Sequence, residues 1–169
     1  MKPRQAAEQV TGAKVQESGD CSNVFRGNYS ASIDDRGRVR LPSAFLGPIR
    51  ETFDDELFVT SIYGDCIRVY PMEKWLEIEK KLMDIPSMNP SRSRLLGRLT
   101  FYGQVGKLDK VGRLLLPQRL RASASLDGEV AVLGYIDYLE IWDPDSFTAR
   151  LESEPLTDDD RKLLSDLGI

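Results

Sequence analysis

From residue 28 onward the spacing of apolar positions changes several times, and each change marks an element. Tyr29, Ala31 and Ile33 alternate with polar neighbours, which is the period of a half-buried strand. "DDRG" follows, with Asp34 at the first and Gly37 at the fourth position of a tight hairpin turn. A second strand, "RVRL", turns Val39 and Leu41 to one side. Pro42 ends it and opens a short helix, "PSAFLGPIRETF", which Gly47-Pro48 is expected to cut. Two further strands, "ELFVTSI" and "CIRVY", flank the turn "YGD". After Pro71 the period becomes helical, with Met72, Trp75, Leu76, Leu82 and Met83 on one stripe. Asn89 caps a second helix whose first residue is Pro90. Its buried side holds Leu95, Leu96 and Leu99, and Arg92, Arg94 and Arg98 form a solvated face.

The whole arrangement then recurs. "IDDRGRVRLP" beginning at Ile33 returns as "LDKVGRLLLP" at Leu108, and "EVAVLGYIDYLEIW" repeats the later strand pair. Phe147 stands where Trp75 stood, and both read as core. Thr157, Asp160 and Gly168 bracket a C-terminal helix. A unit of about 45 residues buries too little surface to fold alone, whereas two that interleave can share one core. The chain therefore divides into a polar, aperiodic extension (1–23) expected to be disordered, a first repeat (28–76), linking helices (77–104), a second repeat (105–148) and a terminal helix (155–169).

Composition narrows the chemistry. The chain has no histidine, which removes imidazole acid-base work, Ser-His or Cys-His nucleophiles and the commonest zinc ligand. Its two cysteines, Cys21 and Cys66, match no metal-ligand spacing and read as free thiols. No phosphate-binding glycine loop occurs, and no apolar run approaches the roughly 18 residues of a membrane span. No cofactor, metal or membrane is expected, and the chain reads as cytoplasmic. The net charge is −4, but it is unevenly spread. Residues 24–50 hold five positive and two negative side chains, and residues 87–121 hold eight and one. Both repeated phrases fall in these basic segments. Local potential governs phosphate binding, so an acidic protein with a basic face can still bind DNA.

The segments "VFRGNYSASIDDRGRVRLPSAFL", "CIRVYPMEKWLEIEKKL", "LTFYGQVGKLDKVGRLLLPQRLR" and "YLEIWDPDSF" resemble the MraZ family of bacterial transcriptional regulators. The resemblance spans roughly residues 24–150. It implies an α+β fold in which two tandem AbrB-like β-hairpin repeats interleave into one double-split, swapped-hairpin β-barrel with flanking helices. It further implies a ring-shaped homo-oligomer with one basic face on double-stranded DNA. The site would be G-containing direct repeats upstream of its own cell-division and cell-wall operon, placing the protein at the nucleoid as a repressor. By motif position the DNA-binding arginines would be Arg38 and Arg113. Arginine's planar fork suits a guanine edge, and the flanking Arg36 and Lys110 suit phosphates. Such proteins usually begin Met-Phe-Arg-Gly, so Val24-Phe25-Arg26-Gly27 suggests a start at Val24. Intact mass of native protein retaining residues 1–23 would sink that expectation.

Other roles compete at these positions. Asp34 and Asp109 suit turn residues that accept backbone N–H groups or pair with the arginine four positions on. Gly37 and Gly112 suit a positive φ. For Arg38 and Arg113 the alternative to DNA is that same intramolecular ion pair, and the basic segments favour DNA. A second function class is a non-catalytic scaffold whose basic face meets an acidic protein. An enzyme fits least, because carboxylate clusters such as Asp54-Asp55 lie in polar surface segments.

Overall fold

The computed structural model describes residues 25–169. The expected disorder of 1–23, Cys21 and the start at Val24 lie outside the described residues. The chain forms β1 (Asn28–Ser32), β2 (Arg38–Arg40), α1 (Ser43–Thr52), β3 (Glu56–Thr60), β4 (Ile67–Pro71), α2 (Met72–Met83) and α3 (Pro90–Tyr102). It continues with β5 (Gln104–Lys107), β6 (Arg113–Leu115), α4 (Gln118–Ser123), β7 (Glu129–Tyr135), β8 (Tyr138–Trp142), α5 (Pro144–Ser153) and α6 (Asp158–Asp166). The fold is mixed α+β. Six antiparallel strands form one sheet in the order β1-β7-β8-β4-β3-β5, and β2 and β6 form a separate antiparallel ribbon.

The two halves exchange strands. A simple hairpin would join β1 to β2, yet only an isolated bridge, Ile33 to Val39, links them. β1 instead pairs with β7 and β2 with β6. The Asp-x-x-Gly turn forms as expected, but it sends its two strands to partners in the other half. The physical reason lies in the core. Val39 and Leu41 of one half and Leu114 and Leu116 of the other are all essentially buried in one cluster with Phe45, Ile49 and Leu120. Ribbon pairing brings those four side chains together, and a local hairpin would leave them apart.

Helix α1 runs unbroken through Pro48, contrary to the expected cut. The proline forfeits the hydrogen bond to Ala44 and costs about 3 kcal/mol. Phe45 and Ile49, on either side of it, are buried and contribute about 1.5–3 kcal/mol each. Their burial outweighs the break.

A second cluster lies between α2, α3 and the sheet. Phe58 stacks on Trp75 with ring centroids 4.0 Å apart, and Leu82 and Leu99 close over them. The stripe on α2 is rotated from the expected one: Met72, Trp75, Ile78 and Leu82 face inward, while Leu76 and Met83 are exposed. Leu95 and Leu96 join Leu99 on the buried side of α3, and Asn89 caps the helix by accepting from the Ser91 N–H. Two arginines of that helix are not simply solvated: Arg92 donates to the Leu82 carbonyl at 3.0 Å and Arg98 to the Ile62 carbonyl at 3.5 Å. Phe147 is only half-buried, its ring tilted at 54° against Trp142. Thr157 and Asp160 form the expected capping box at the start of α6.

No described helix is long and apolar enough to cross a membrane. Cys66 is a buried free thiol.

Candidate nucleic-acid interface

Each Asp-x-x-Gly-Arg phrase builds the same local structure. Asp34 accepts the Gly37 N–H at its carbonyl and the Arg36 and Arg38 N–H groups at Oδ1. Its Oδ2 takes the Arg38 guanidinium, 2.9 Å from Nε and 2.8 Å from a terminal nitrogen. Asp109 repeats this with the Gly112, Val111 and Arg113 N–H groups, and its Oδ2 lies 2.7 Å from Arg113 Nε. Gly37 and Gly112 have φ of +77° and +80°, as expected of left-handed positions.

The turns are also held by the opposite half. The Gly37 carbonyl accepts the Leu116 N–H, and the Gly112 carbonyl accepts the Leu41 N–H. A Cβ on Gly37 would stand 2.7 Å from the Arg121 guanidinium of α4, and one on Gly112 would meet Leu46 of α1 at 2.5 Å. Arg50 of α1 donates to the carbonyls of Asp109 and Lys110. Arg50 and Arg121 therefore support the site, although neither lies in the repeated phrase. Only the strand exchange brings them there.

The ion-pair alternative for Arg38 and Arg113 is thus realised in both halves. It does not consume either arginine. The carboxylate grips Arg38 along the side edge of its guanidinium, through Nε and one terminal nitrogen, and grips Arg113 through Nε. The end edge keeps N–H donors in a plane, the arrangement that matches two adjacent acceptors. A carboxylate behind an arginine fixes its rotamer and leaves it aimed.

Electrostatics bear on the same pair. The Arg38 guanidinium hydrogen-bonded to Asp34, together with the backbone N–H groups of Arg38 and Arg36, holds the Asp34 carboxyl down at about 2, from an ordinary 3.8. Asp109 is lowered by the corresponding N–H and guanidinium of Arg113. Because the folded value is depressed, the stabilisation is present above the ordinary pKa and is lost as pH falls from about 4 toward 2. Carboxyl-carbon NMR is expected to show Asp34 titrating near 2 with the turn intact at pH 5. A midpoint near 3.8 would mean that the pair is not held.

The ribbon gathers these groups on one surface. Val39 and Leu114 point inward and are fully buried, so Arg38, Arg40, Arg113 and Leu115 form the outward face. Arg40 lies opposite Arg113 and Leu115 opposite Arg38. Arg36 and Lys110 are exposed at the two turns, and neither side chain makes a hydrogen bond or ion pair among the described residues. All eight expected residues thus belong to the two turns and the ribbon they feed. Arg40 was missed by motif reading, although the alternation of "RVRL" already put it beside Arg38 on one face. No cluster of metal-ligating side chains occurs among the described residues.

Comparison with known proteins bears on this arrangement. A family model described as "MraZ protein, putative antitoxin-like" matches residues 24–98 and 104–166. The chain belongs to the MraZ family. Each block matched by the MraZ model contains one Asp-x-x-Gly-Arg turn, at 34–38 and 109–113. The chain is similar to the Transcriptional regulator MraZ of Koribacter versatilis, at 44% identity over 147 residues, covering 86% of this chain and 100% of that protein. The protein of the same name from Acidobacterium capsulatum is 39% identical over 146 residues, with the same coverage of both chains. That of Methylococcus capsulatus is 34% identical over 145 residues, covering 86% of this chain and 95% of the relative.

Proposed function

We propose that this protein is a sequence-specific DNA-binding transcriptional regulator that reads guanines with Arg38 and Arg113. The observation that carries the reading is the pair of carboxylate-braced arginines on one exposed ribbon, in a chain that is acidic overall. A guanine presents O6 and N7 side by side in the major groove, and the end edge of a guanidinium matches them. Arg36 and Lys110 at the turns contact phosphates, which set register without reading sequence. The names carried by the similar proteins support a regulator over an enzyme.

In this reading residues 28–76 and 105–148 are AbrB-like repeats interleaved as a swapped-hairpin barrel, joined by 77–104 and followed by the helix at 155–169. One such barrel offers few contacts. Several linked on adjacent G-containing direct repeats gain affinity by raising the effective concentration of each next contact, so the protein acts as a homo-oligomer, in a ring. The repeats lie upstream of its own cell-division and cell-wall operon, which it represses from the nucleoid in the cytoplasm.

The test is fluorescence anisotropy of the full chain on duplex from upstream of its gene, against a scrambled duplex, at two salt concentrations. Preference for the upstream DNA, with affinity falling steeply with salt, is expected. Equal weak binding to both duplexes would reject a sequence reader and leave the basic face to an acidic protein partner.

A further inference from the structure

The two halves of the ribbon do not present the same face. Arg38 and Arg113 occupy equivalent positions in the duplication, but two residues further on the first half has Arg40 and the second has Leu115. Antiparallel register sets Leu115 across from Arg38, with Arg113 two residues back on its own strand. Leu115 is 54% exposed. An isolated surface leucine needs no explanation. A leucine that shares an outward face with three arginines is different, because a surface complementary to that face is apolar at one point and anionic or acceptor-rich beside it.

Arg40 is unusual in the complementary way. Arg38 and Arg113 each have a carboxylate at their back, whereas Arg40 makes no hydrogen bond or ion pair among the described residues. It also faces Arg113 directly, and like charges opposite one another on a ribbon are destabilising. A negative charge supplied from outside relieves that repulsion.

Both requirements are met by the major groove of duplex DNA. Thymine presents its C5-methyl there beside the acceptors of neighbouring bases, with phosphates along the rim. Given the proposed DNA reading, we infer that Leu115 contacts a thymine methyl next to the guanines read by Arg38 and Arg113, and that Arg40 takes a backbone phosphate. Turning the ribbon about its approximate two-fold axis would exchange Leu115 with Arg40, so the face reads an asymmetric element in one orientation.

Deoxyuridine lacks only the thymine methyl, so it isolates this contact. The full chain is titrated against its upstream duplex with each thymine replaced in turn by deoxyuridine, beside Leu115→Ala and Arg40→Ala. At one thymine per element, on the same side of the guanines each time, the unmodified protein is expected to lose about 3- to 5-fold in affinity, the worth of one buried methyl group. Leu115→Ala is expected to bind the two duplexes equally. Because each comparison is a ratio within one variant, any loss of folded protein cancels. Arg40→Ala is expected to lower the slope of log affinity against log salt by about 0.9.

An equal deoxyuridine penalty in Leu115→Ala, no penalty at any thymine, or sensitive thymines on both sides of the guanines would overturn the methyl contact. An unchanged salt slope would overturn the phosphate role of Arg40. If the unmodified chain shows no preference for upstream over scrambled DNA, the proposed function fails as well. If it prefers upstream DNA without dependence on thymine methyls, this inference alone fails.

Discussion

With Arg38 and Arg113 both replaced by alanine, the protein is expected to remain folded and to lose its preference for upstream DNA by about 100-fold or more. Each well-placed arginine–guanine pair discriminates by roughly 10- to 100-fold against the wrong base, and the two contacts are on separate turns. In the proposed homo-oligomer linkage would multiply the loss, since every subunit would lose the same two contacts. Folding is spared because the core positions between them, Val39 and Leu114, are untouched and the turns keep their backbone hydrogen bonds to Asp34 and Asp109. Anisotropy on upstream and scrambled duplexes measures the preference, and circular dichroism checks the fold. A double variant that still prefers the upstream duplex would make both arginines purely structural partners of their aspartates. Asp34→Asn separates the two roles further. Asparagine retains an oxygen for the Arg36 and Arg38 N–H groups but loses the charge behind the guanidinium. It is expected to lower the melting temperature modestly and, at temperatures where the variant is fully folded, to weaken specific binding several-fold, whereas a purely structural ion pair would change the melting temperature alone.

The turns were legible because their geometry is local. Asp34 to Arg38 is five residues, and the bonds by which the Asp34 side chain shapes the turn fall within them, so the local sequence specifies that part of it. Pairing was less legible, for a physical reason. Alternation tells which face of a strand is buried, but not which other strand completes the ladder. β1 finds β7 about a hundred residues later, and no feature of "NYSAS" or "EVAVLGY" taken singly names the other. The supports from Arg50 and Arg121 were invisible for the same reason, since they reach turns in the opposite half. Pro48 misled because a local rule was applied where two buried neighbours decide the outcome. In "YLEIW" Leu139, Glu140, Ile141 and Trp142 are all buried, and the arginine that accommodates the charged one comes from a strand of the other half, which the segment itself does not name.

That buried glutamate sets the second large expected effect, which concerns stability and leaves DNA binding alone. Glu140 is 2% exposed. One carboxylate oxygen accepts from Arg68 Nε at 2.9 Å and the other from Trp142 Nε1 at 2.8 Å. Arg68 and Glu140 are direct partners between β4 and β8, where a strand of the first half meets one of the second, and Arg68 also lies over the Tyr138 ring. Arg68→Met keeps much of the side chain's bulk but leaves a buried carboxylate with a single N–H donor. Breaking a buried pair from one side costs about 3–5 kcal/mol, because the remaining charge is uncompensated. For a chain of this size that lowers the melting temperature by about 6–20 °C. Adding Glu140→Gln removes the stranded charge while keeping an acceptor for Trp142, so the double variant is expected to regain much of the loss. Such non-additivity is the signature of a coupled pair. The ribbon lies in the other sheet, so at temperatures where Arg68→Met is folded its DNA affinity is expected to match that of the unmodified protein. A small shift in melting temperature, or a double variant less stable than Arg68→Met, would mean that the pair does not hold the halves together.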